Sequence, residues 1–424
     1  MKSLLAAAAL AAAMPFYSTP FERQPGVPQM TAAGRALFFD KSLSASGRTS
    51  CASCHDPAHA YGPPNARAVQ LAGPDGKTPG LRAVPSLRYL HKVPAFTEHF
   101  FESDGNDGED QGPAGGHTWD GRARNLHEQA ALPLTSPLEM ANRDPAEVVA
   151  RARRSPSAGL LREAFGEHVL DDADRGFRAI VMSLEVFQQD PAEFYPYDSK
   201  YDAYLRGEAT LSPAEERGLR LFNDPAKGNC AACHVSSMRE RALPAFSDWG
   251  FIALGVPRNR TLRMPGGKPD LGLCGPLRTD LSSREEYCGR FRTPTLRNVA
   301  RRSVFFHNGA FHDLAEVVRF YAQRDTNPAK WYPRGADGRV DVFDDLPPGL
   351  RANVNREPPF GRKPGARPAL DEAGIRDVVA FLRTLDDGYR APRTMGLPKN
   401  SLMRKSSSPS LSSGRAESTT TLPR

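Results

Sequence analysis

Two short cysteine motifs constrain this chain more than any other feature of its sequence. Residues 51–55 read CASCH and residues 230–234 read CAACH. In a CxxCH motif the two thiols bond to the vinyl groups of a haem, and the adjoining histidine ligates the iron. A redox dithiol does not need that histidine, and a zinc site would need the two distant motifs to converge. The sequence therefore predicts two covalently bound haem c groups, held by Cys51, Cys54, His55, Cys230, Cys233 and His234.

The sequence around the two motifs is repeated in the same order. The matched pairs are GRALF at 34–38 with GLRLF at 218–222, PSLR at 85–88 with PTLR at 294–297, and WDG at 119–121 with HNG at 307–309. The glycine of the first pair suits two helices that cross closely, as in small cytochromes c. We therefore predict a mainly α fold with two cytochrome c-like haem domains in tandem, 19–205 and 206–390, and loop-rich connections.

The two ends of the chain differ in composition from the rest. Lys2 precedes an apolar run at 4–13, which is too short to span a bilayer and is typical of a cleaved secretory signal. A disordered alanine-rich start is the alternative. The far end, 391–424, is rich in Ser, Thr and Arg and predicts a disordered basic tail. We expect a signal peptide at 1–18, with its cleavage site left open, and export to the periplasm.

The distribution of charge argues against nucleic acid as a partner. The formal net charge is +7, but Lys2 contributes one positive charge and the tail has six Lys and Arg against one Glu. The part between them is close to neutral, which disfavours a nucleic-acid-binding surface. No second segment approaches eighteen consecutive apolar residues, so the sequence predicts no membrane span.

The repeat also indicates a difference between the two haems. Tyr321 lies as far beyond His307 as Pro133 lies beyond Trp119, and proline has no side-chain group that ligates iron. The second haem thus has a candidate sixth ligand where the first has none. Met264 is the rival candidate, because a thioether is a common ligand of c-type haem iron. One closed iron and one open iron is typical of an electron-transfer haem that serves a reactive one.

These motifs resemble those of the bacterial di-haem cytochrome c peroxidases and MauG-like proteins. The resemblance extends from about Gly34 to Leu385 and rests on the blocks LFFDKSLSASGRTSCASCHDP, TWDGRARNLHEQA, SPLEM, FRTPTLRNVA and FHNGAFHDLAEVV, in that order. It implies that the N-terminal haem reacts with hydrogen peroxide and that the C-terminal haem relays electrons. Tyr321 places the chain nearer the MauG-like branch, since ordinary peroxidases have methionine at that position.

The resemblance also implies roles for individual residues. Trp119 matches the tryptophan that conducts electrons between the haems. Glu139 matches the distal acid–base glutamate, and Gln129 matches a glutamine of the same distal pocket. His307 matches a histidine near the second haem, and Tyr321 matches its sixth ligand. Without the resemblance, core packing for Trp119 and a surface position for Glu139 are the commoner fates of these residue types.

The activity that the resemblance implies is reduction of hydrogen peroxide to water. The electrons would come from a small redox protein, either a cytochrome c or a cupredoxin. Two alternatives stay open. One is a MauG-like oxidase that withdraws electrons from the side chains of a partner protein through a high-valent di-haem state, and the other is a non-catalytic di-haem electron carrier.

A calcium ion usually lies between the haem domains of this family, held partly by carbonyls of the loop before the His-x-Gly block. Here that loop, 300–306, reads ARRSVFF and lacks the usual proline. Calcium is therefore doubtful, and Arg302 is the alternative source of positive charge.

Two cysteines remain outside the CxxCH motifs. Cys274 and Cys288 are separated by thirteen intervening residues in a segment that predicts a loop. In an oxidising compartment such a pair is expected to form a disulfide. Two free structural thiols are the alternative.

Overall fold

The computed structural model describes residues 21–101, 110–238, 241–262 and 264–391. The expected signal peptide lies outside the described residues, and so does the expected tail apart from Ala391. In the described part, regular strands are confined to two short antiparallel pairs, Leu71–Ala72 (β1) with Thr78–Pro79 (β2) and Phe251–Ile252 (β3) with Phe291–Arg292 (β4). The remainder is helix and loop, so the predicted mainly α class is confirmed.

The helices before residue 195 are positioned by side-chain caps and by proline at the first turn. They are Val27–Phe39 (α1), Cys51–Cys54 (α2), Leu126–Thr135 (α3), Pro145–Ala152 (α4), Ala158–Phe165 (α5), Ala173–Phe187 (α6) and Pro191–Phe194 (α7). Asn125, Asp144 and Asp172 each accept a hydrogen bond from the backbone N–H three residues further on, at 2.9, 2.8 and 2.8 Å. These bonds satisfy amide groups that have no partner within the helix.

The helices after residue 199 begin in the same way. They are Lys200–Leu205 (α8), Pro213–Asn223 (α9), Leu314–Gln323 (α10), Pro328–Trp331 (α11) and Glu372–Arg383 (α12). A capping box begins α9, because the Ser212 and Glu215 side chains each accept a hydrogen bond from the other residue's backbone N–H. Asp313 caps α10 through the backbone N–H of Glu316, at 2.8 Å.

A glycine allows one pair of helices to cross closely in each half of the chain. A Cβ atom placed on Gly34 in α1 would lie 1.9 Å from the carbonyl oxygen of Ser183 in α6. A Cβ atom placed on Gly218 in α9 would lie 2.0 Å from the carbonyl oxygen of Asp377 in α12. No side chain fits either crossing, so the residue must be glycine. The close packing predicted from the repeated glycine is confirmed, in the same geometry at both places.

The buried apolar side chains form two main clusters that follow one another along the chain. The first cluster runs from Met30 to Phe194 and the second runs from Tyr201 to Leu385. The described residues up to Tyr389 nevertheless form one compact unit. The division into domains 19–205 and 206–390 stays a prediction, although the change from one core to the other falls near its boundary.

Two further expectations concern the whole chain. No helix in the described part is long and apolar enough to cross a membrane. Cys274 and Cys288 form a disulfide, with their Cα atoms 5.0 Å apart, which confirms the pairing expected from the sequence. The bond joins two points of the loop-rich segment between β3 and β4 and so restrains a region that has little regular structure.

Candidate haem sites

The four motif cysteines are free and half-buried. Cys51, Cys54, Cys230 and Cys233 make no disulfide. Burial raises the pKa of all four thiols to about 12. A redox dithiol or a thiolate metal site needs a lowered thiol pKa instead. The four cysteines are thus unpaired, as thioether bonds to a haem require.

Each motif histidine is held in the form that an iron ligand requires. His55 Nδ1 lies 3.1 Å from the carbonyl oxygen of Tyr61, and His234 Nδ1 lies 2.9 Å from that of Phe246. Because a carbonyl oxygen only accepts, Nδ1 carries the proton in both rings and Nε2 keeps its lone pair. Burial also lowers the pKa of His55 to about 4 and that of His234 below its usual range, so both rings are neutral. Two equivalent axial ligands are thus available.

The PSLR and PTLR segments position the carbonyls that orient these histidines. Ser86 Oγ donates to the carbonyl of Ala60, and Thr295 Oγ1 donates to the carbonyl of Ala245, both at 2.7 Å. Ala60 and Ala245 directly precede the residues whose carbonyls the histidines contact. A short repeated sequence therefore sets the orientation of the proximal ligand in both halves.

The second haem site, defined by Cys230, Cys233 and His234, opens on a cavity of about 400 Å³ lined mostly by apolar side chains. This volume is in the range of small-molecule and cofactor sites. Tyr321 and His234 both line the cavity. An apolar cavity beside two free thiols and a neutral histidine fits a covalently bound haem.

Of the two candidate sixth ligands, only Tyr321 lines this cavity in the described part of the chain; Met264 does not. Tyr321 is on α10, and its ring contacts Phe306 and Phe360 at centroid distances of 6.1 and 5.5 Å. Burial raises the pKa of Tyr321, and the thiols of the second motif raise it further. Its phenol therefore stays protonated unless a cation such as iron lies beside it. Ligation by Tyr321 stays a prediction that this placement favours over Met264.

The first haem site, defined by Cys51, Cys54 and His55, has a different set of neighbours. Gln129 on α3 has a buried side-chain oxygen, Oε1, with no hydrogen-bond partner in the described part of the chain. Glu139 lies close enough to both thiols to raise their pKa. A buried carbonyl-type oxygen without a partner costs free energy, and the role of Gln129 at the first site stays a prediction.

The Glu139 side chain is exposed at its outer part and is packed against protein atoms around its carboxyl. This enclosure raises its pKa, against the opposing effects of Ser136 and Arg122. Its backbone is fixed on both sides, since its N–H donates to the Ser136 carbonyl at 3.0 Å and its carbonyl accepts from Gly73 N–H at 2.8 Å. A carboxyl with a raised pKa keeps its proton more readily than an ordinary glutamate, which suits a group that exchanges protons.

Trp119 and His307 lie on the wall of the second cavity and are joined through one residue. Trp119 Nε1 donates to the carbonyl of Ala83 at 2.7 Å, and Ala83 N–H donates to the carbonyl of His307 at 2.8 Å. The His307 ring stacks on Phe291 at 3.5 Å, and its Nε2 lies 3.3 Å from a carboxylate oxygen of Asp345. Trp119, which was expected between the haems, and His307, which was expected near the second haem, are therefore close together in the structure.

Comparisons with known proteins agree with this geometry. The chain is 35% identical over 406 residues to the methylamine utilization protein MauG of Paracoccus denitrificans, which covers 92% of this chain and 97% of that protein. The chain belongs to the di-haem cytochrome c peroxidase family. The family described as di-haem cytochrome c peroxidase matches residues 28–210, and the expected membership is confirmed.

Two further relatives support the same conclusion. The crystal structure of the dihaem peroxidase BthA from Burkholderia thailandensis has a TM-score of 0.74 and 39% sequence identity, and covers 86% of this chain and 87% of that one. The cytochrome c peroxidase Ccp of Escherichia coli is 27% identical over 87% of this chain and 60% of its own length. The family implies two haem c cofactors, and their attachment at the two CxxCH motifs stays a prediction.

Buried arginines are a feature of these di-haem sites that sequence reasoning found only in part. Arg302 lines the second cavity, donates to the carbonyls of Val84 and Val304 at 2.9 and 3.2 Å, and acts electrostatically on His55. Burial lowers its pKa to about 10, which leaves it charged at neutral pH. In the described part of the chain, no three or more His, Cys, Asp or Glu side chains are grouped to hold a metal ion. A positive charge between the sites was expected from Arg302, and its burial fits that role.

Arg292 was not identified from the sequence. It also lines the second cavity, and its Nη1 is buried without a hydrogen-bond partner in the described part of the chain. Its pKa is lowered by burial to about 10. A buried guanidinium with a free donor fits an anionic group such as a haem propionate. The sequence offered one indication of this role, the position of Arg292 in the FRTPTLRNVA block. An arginine at that position is equally compatible with the protein surface.

Proposed function

We propose that this protein reduces hydrogen peroxide to water at the haem held by His55, and that electrons reach it through the haem held by His234. The supporting observation is the asymmetry of the two sites. Gln129 and Glu139 offer a free acceptor and a proton-exchanging carboxyl at the first site, whereas Tyr321 faces the second cavity. An open site with acid–base groups suits peroxide, and a closed site suits electron transfer.

Proton transfer is the task that this proposal gives to Glu139. When bound, the haem supplies an iron that binds peroxide and accepts its oxidising equivalents. Glu139 takes a proton from the oxygen of peroxide nearer the iron and returns it to the outer oxygen, which leaves as water. The raised pKa of Glu139 favours the return of the proton in the second transfer. Gln129 orients the peroxide by accepting a hydrogen bond at its free Oε1.

Electrons must cross from the second site to the first, and Trp119 is the residue proposed to carry them. Its indole lies on the wall of the second cavity and is fixed by the bond to Ala83. Ala83 belongs to the segment that also carries Ser86, which orients the first site. The donor is proposed to be a small periplasmic redox protein, a cytochrome c or a cupredoxin, which delivers electrons to the second haem.

The test is a substitution of Glu139 in the protein with both haems bound. Glu139→Gln keeps the size of the side chain but removes its proton exchange, so peroxide turnover should fall by about 10²–10⁴-fold. Glu163→Gln is the matched control, because Glu163 is an exposed glutamate on α5. Full turnover in Glu139→Gln, with both haems present by their optical spectra, would contradict the proposed role.

A MauG-like oxidase of a partner protein is the second candidate function. Tyr321 in the second cavity and the 35% identity to MauG over nearly the whole chain favour it. The diferric protein should be titrated with peroxide, with and without a reduced cytochrome c, under optical and EPR observation. Rapid oxidation of the cytochrome supports the peroxidase, and a long-lived oxidised di-haem state with slow cytochrome turnover supports the oxidase. No response to peroxide would leave an electron carrier.

A further inference from the structure

The two haem sites differ below the iron as well as above it. The carbonyl that orients His55 belongs to Tyr61, and the carbonyl that orients His234 belongs to Phe246. These two residues have the same backbone conformation, with φ of 55° and 54°. They therefore occupy the same position of the repeat. A phenol can lose an electron and a proton, whereas a phenyl ring has neither an ionisable group nor an accessible oxidation state.

The Tyr61 phenol has a proton acceptor already in place. Its ring is fully buried, and its hydroxyl donates to Glu193 Oε2 at 2.6 Å. The other carboxylate oxygen of Glu193 contacts the guanidinium of Arg35, which holds the carboxylate in position. Phe38 and Phe194 pack on the Tyr61 ring at centroid distances of 5.6 and 4.3 Å. The phenol is thus shielded from solvent and paired with a carboxylate.

We propose that Tyr61 is a redox-active residue that gives one electron to the peroxide-oxidised haem held by His55, with Glu193 as its proton acceptor. This inference rests on the proposed function, because peroxide is the oxidant. The electron leaves the phenol for the haem, which is reduced by one equivalent. The O–H bond breaks and the proton moves along the 2.6 Å hydrogen bond to Glu193. The products are a neutral tyrosyl radical and a neutral carboxylic acid.

The connection between Tyr61 and the iron is short. One hydrogen bond, from His55 Nδ1 to the Tyr61 carbonyl, joins the ligand to the backbone of the residue that is oxidised. The equivalent connection in the second site ends at Phe246 and cannot carry the same reaction. An oxidising equivalent is therefore stored beside the haem that reacts with peroxide, and it is cancelled when an electron from the donor returns to Tyr61 and Glu193 gives back its proton.

Tyr89 provides a matched control within the same half of the chain. It is buried, and its hydroxyl donates to Asp387 Oδ1 at 2.6 Å, so it also has a carboxylate partner. Its carbonyl, however, does not orient a haem ligand; that bond belongs to Tyr61. Tyr61→Phe introduces phenylalanine, the residue that occupies the equivalent position 246 in the second half. The variant is therefore compatible with the fold.

The experiment uses the protein with both haems bound, mixed with one equivalent of hydrogen peroxide, frozen rapidly and examined by EPR and optical spectroscopy. The wild-type protein should give an organic radical whose EPR signal narrows when the protein contains ring-deuterated tyrosine. Tyr61→Phe should reduce that signal at least tenfold, and Tyr89→Phe should retain it. Glu193→Gln should reduce it several-fold, because the amide accepts no proton.

The possible failures are distinguishable. An optical change with peroxide, but with no tyrosyl radical or with one that persists in Tyr61→Phe, overturns the assignment to Tyr61 and leaves the proposed function intact. Equal loss in Tyr61→Phe and Tyr89→Phe also overturns it, because the effect would then not depend on contact with the ligand. No optical change at all would overturn both the proposed function and this inference.

Discussion

The two halves of this protein share a scaffold and differ at a few side chains around it. In each half a glycine allows two helices to cross at the same separation, and a histidine donates Nδ1–H to a backbone carbonyl. The differences lie at the sites themselves, where Glu139 acts electrostatically on the thiols of one and Tyr321 lines the cavity of the other. The comparison teaches that the repeated scaffold orients both motif histidines in the same way, whereas the side chains at equivalent positions of the repeat differ between the two sites.

Replacement of Tyr321 should change the second haem most strongly. In Tyr321→Phe the proposed anionic ligand of that haem is lost, and a negative charge beside iron stabilises its oxidised state. The reduction potential of the haem held by His234 should therefore rise by on the order of 0.2 V, within the wide range that axial ligands control. Spectroelectrochemical titration of the purified protein would measure the two potentials separately.

Met264→Leu is the control for this change, because Met264 is the rival ligand and does not line the cavity. Its potentials should match those of the wild type. A potential shift in Met264→Leu with none in Tyr321→Phe would assign the sixth ligand to methionine and remove one difference between the halves.

The arginines of the PSLR and PTLR segments test whether equivalent positions are equally important for stability. Arg297 makes two hydrogen bonds to Asp202, at 2.8 and 2.9 Å, and both side chains are fully buried. Removing one partner of such a pair costs about 3–5 kcal/mol. Arg88 contacts Asp387 at 2.6 Å, but that carboxylate also accepts from the Asn298 amide. Arg297→Ala should therefore lower the free energy of unfolding by about 3–5 kcal/mol, and Arg88→Ala by about 1–2 kcal/mol.

The difference between these variants should depend on pH. Burial would raise the pKa of Asp202, but Arg297 outweighs it and holds that pKa below its usual value. The stability contributed by the pair is thus present above the unfolded pKa of about 3.9 and is lost as pH falls through the lower folded value. In Arg297→Ala the unpaired Asp202 carboxyl is more stable when protonated. The loss in free energy of unfolding relative to the wild type should therefore become smaller as the pH is lowered. Denaturant unfolding at pH 7 and pH 4 would measure it, and a deficit independent of pH would exclude this explanation.

Much of the scaffold was predictable because its determinants are local in sequence. The CxxCH spacing, the Ser212 and Asp313 caps and the glycines at the crossings each require one residue type at one place. The pairing of Cys274 with Cys288 followed from there being no other partner outside the motifs. The order of the two sites along the chain could also be inferred, because the repeated segments follow one another in the same order in both halves.

The remaining features depend on which distant residues meet. Arg292, with its buried free donor, and the Tyr61–Glu193 pair bring together residues that no local pattern connects. Asp120 is a further case: burial would raise its pKa, but Arg82 and Arg122 lower it to about 2. The sequence gives the identity of such groups, but their burial and partners, which set their chemistry, arise only from the tertiary fold.

The glycine crossings test whether the two halves are equivalent in packing, as their geometry indicates. Gly34→Ala and Gly218→Ala each force a Cβ atom against a backbone carbonyl, at 1.9 and 2.0 Å, so the helices must separate. Overpacking of this kind costs about 1–3 kcal/mol, and the two variants should lose similar stability by denaturant unfolding. Gly159→Ala on α5 is the control, because nothing lies within 4 Å of its Cβ position. It should gain up to about 1 kcal/mol through helix propensity. If only one of the two variants loses stability, the helices pack more tightly at that crossing than at the other. The repeat would then keep a glycine at both positions although only one crossing requires it.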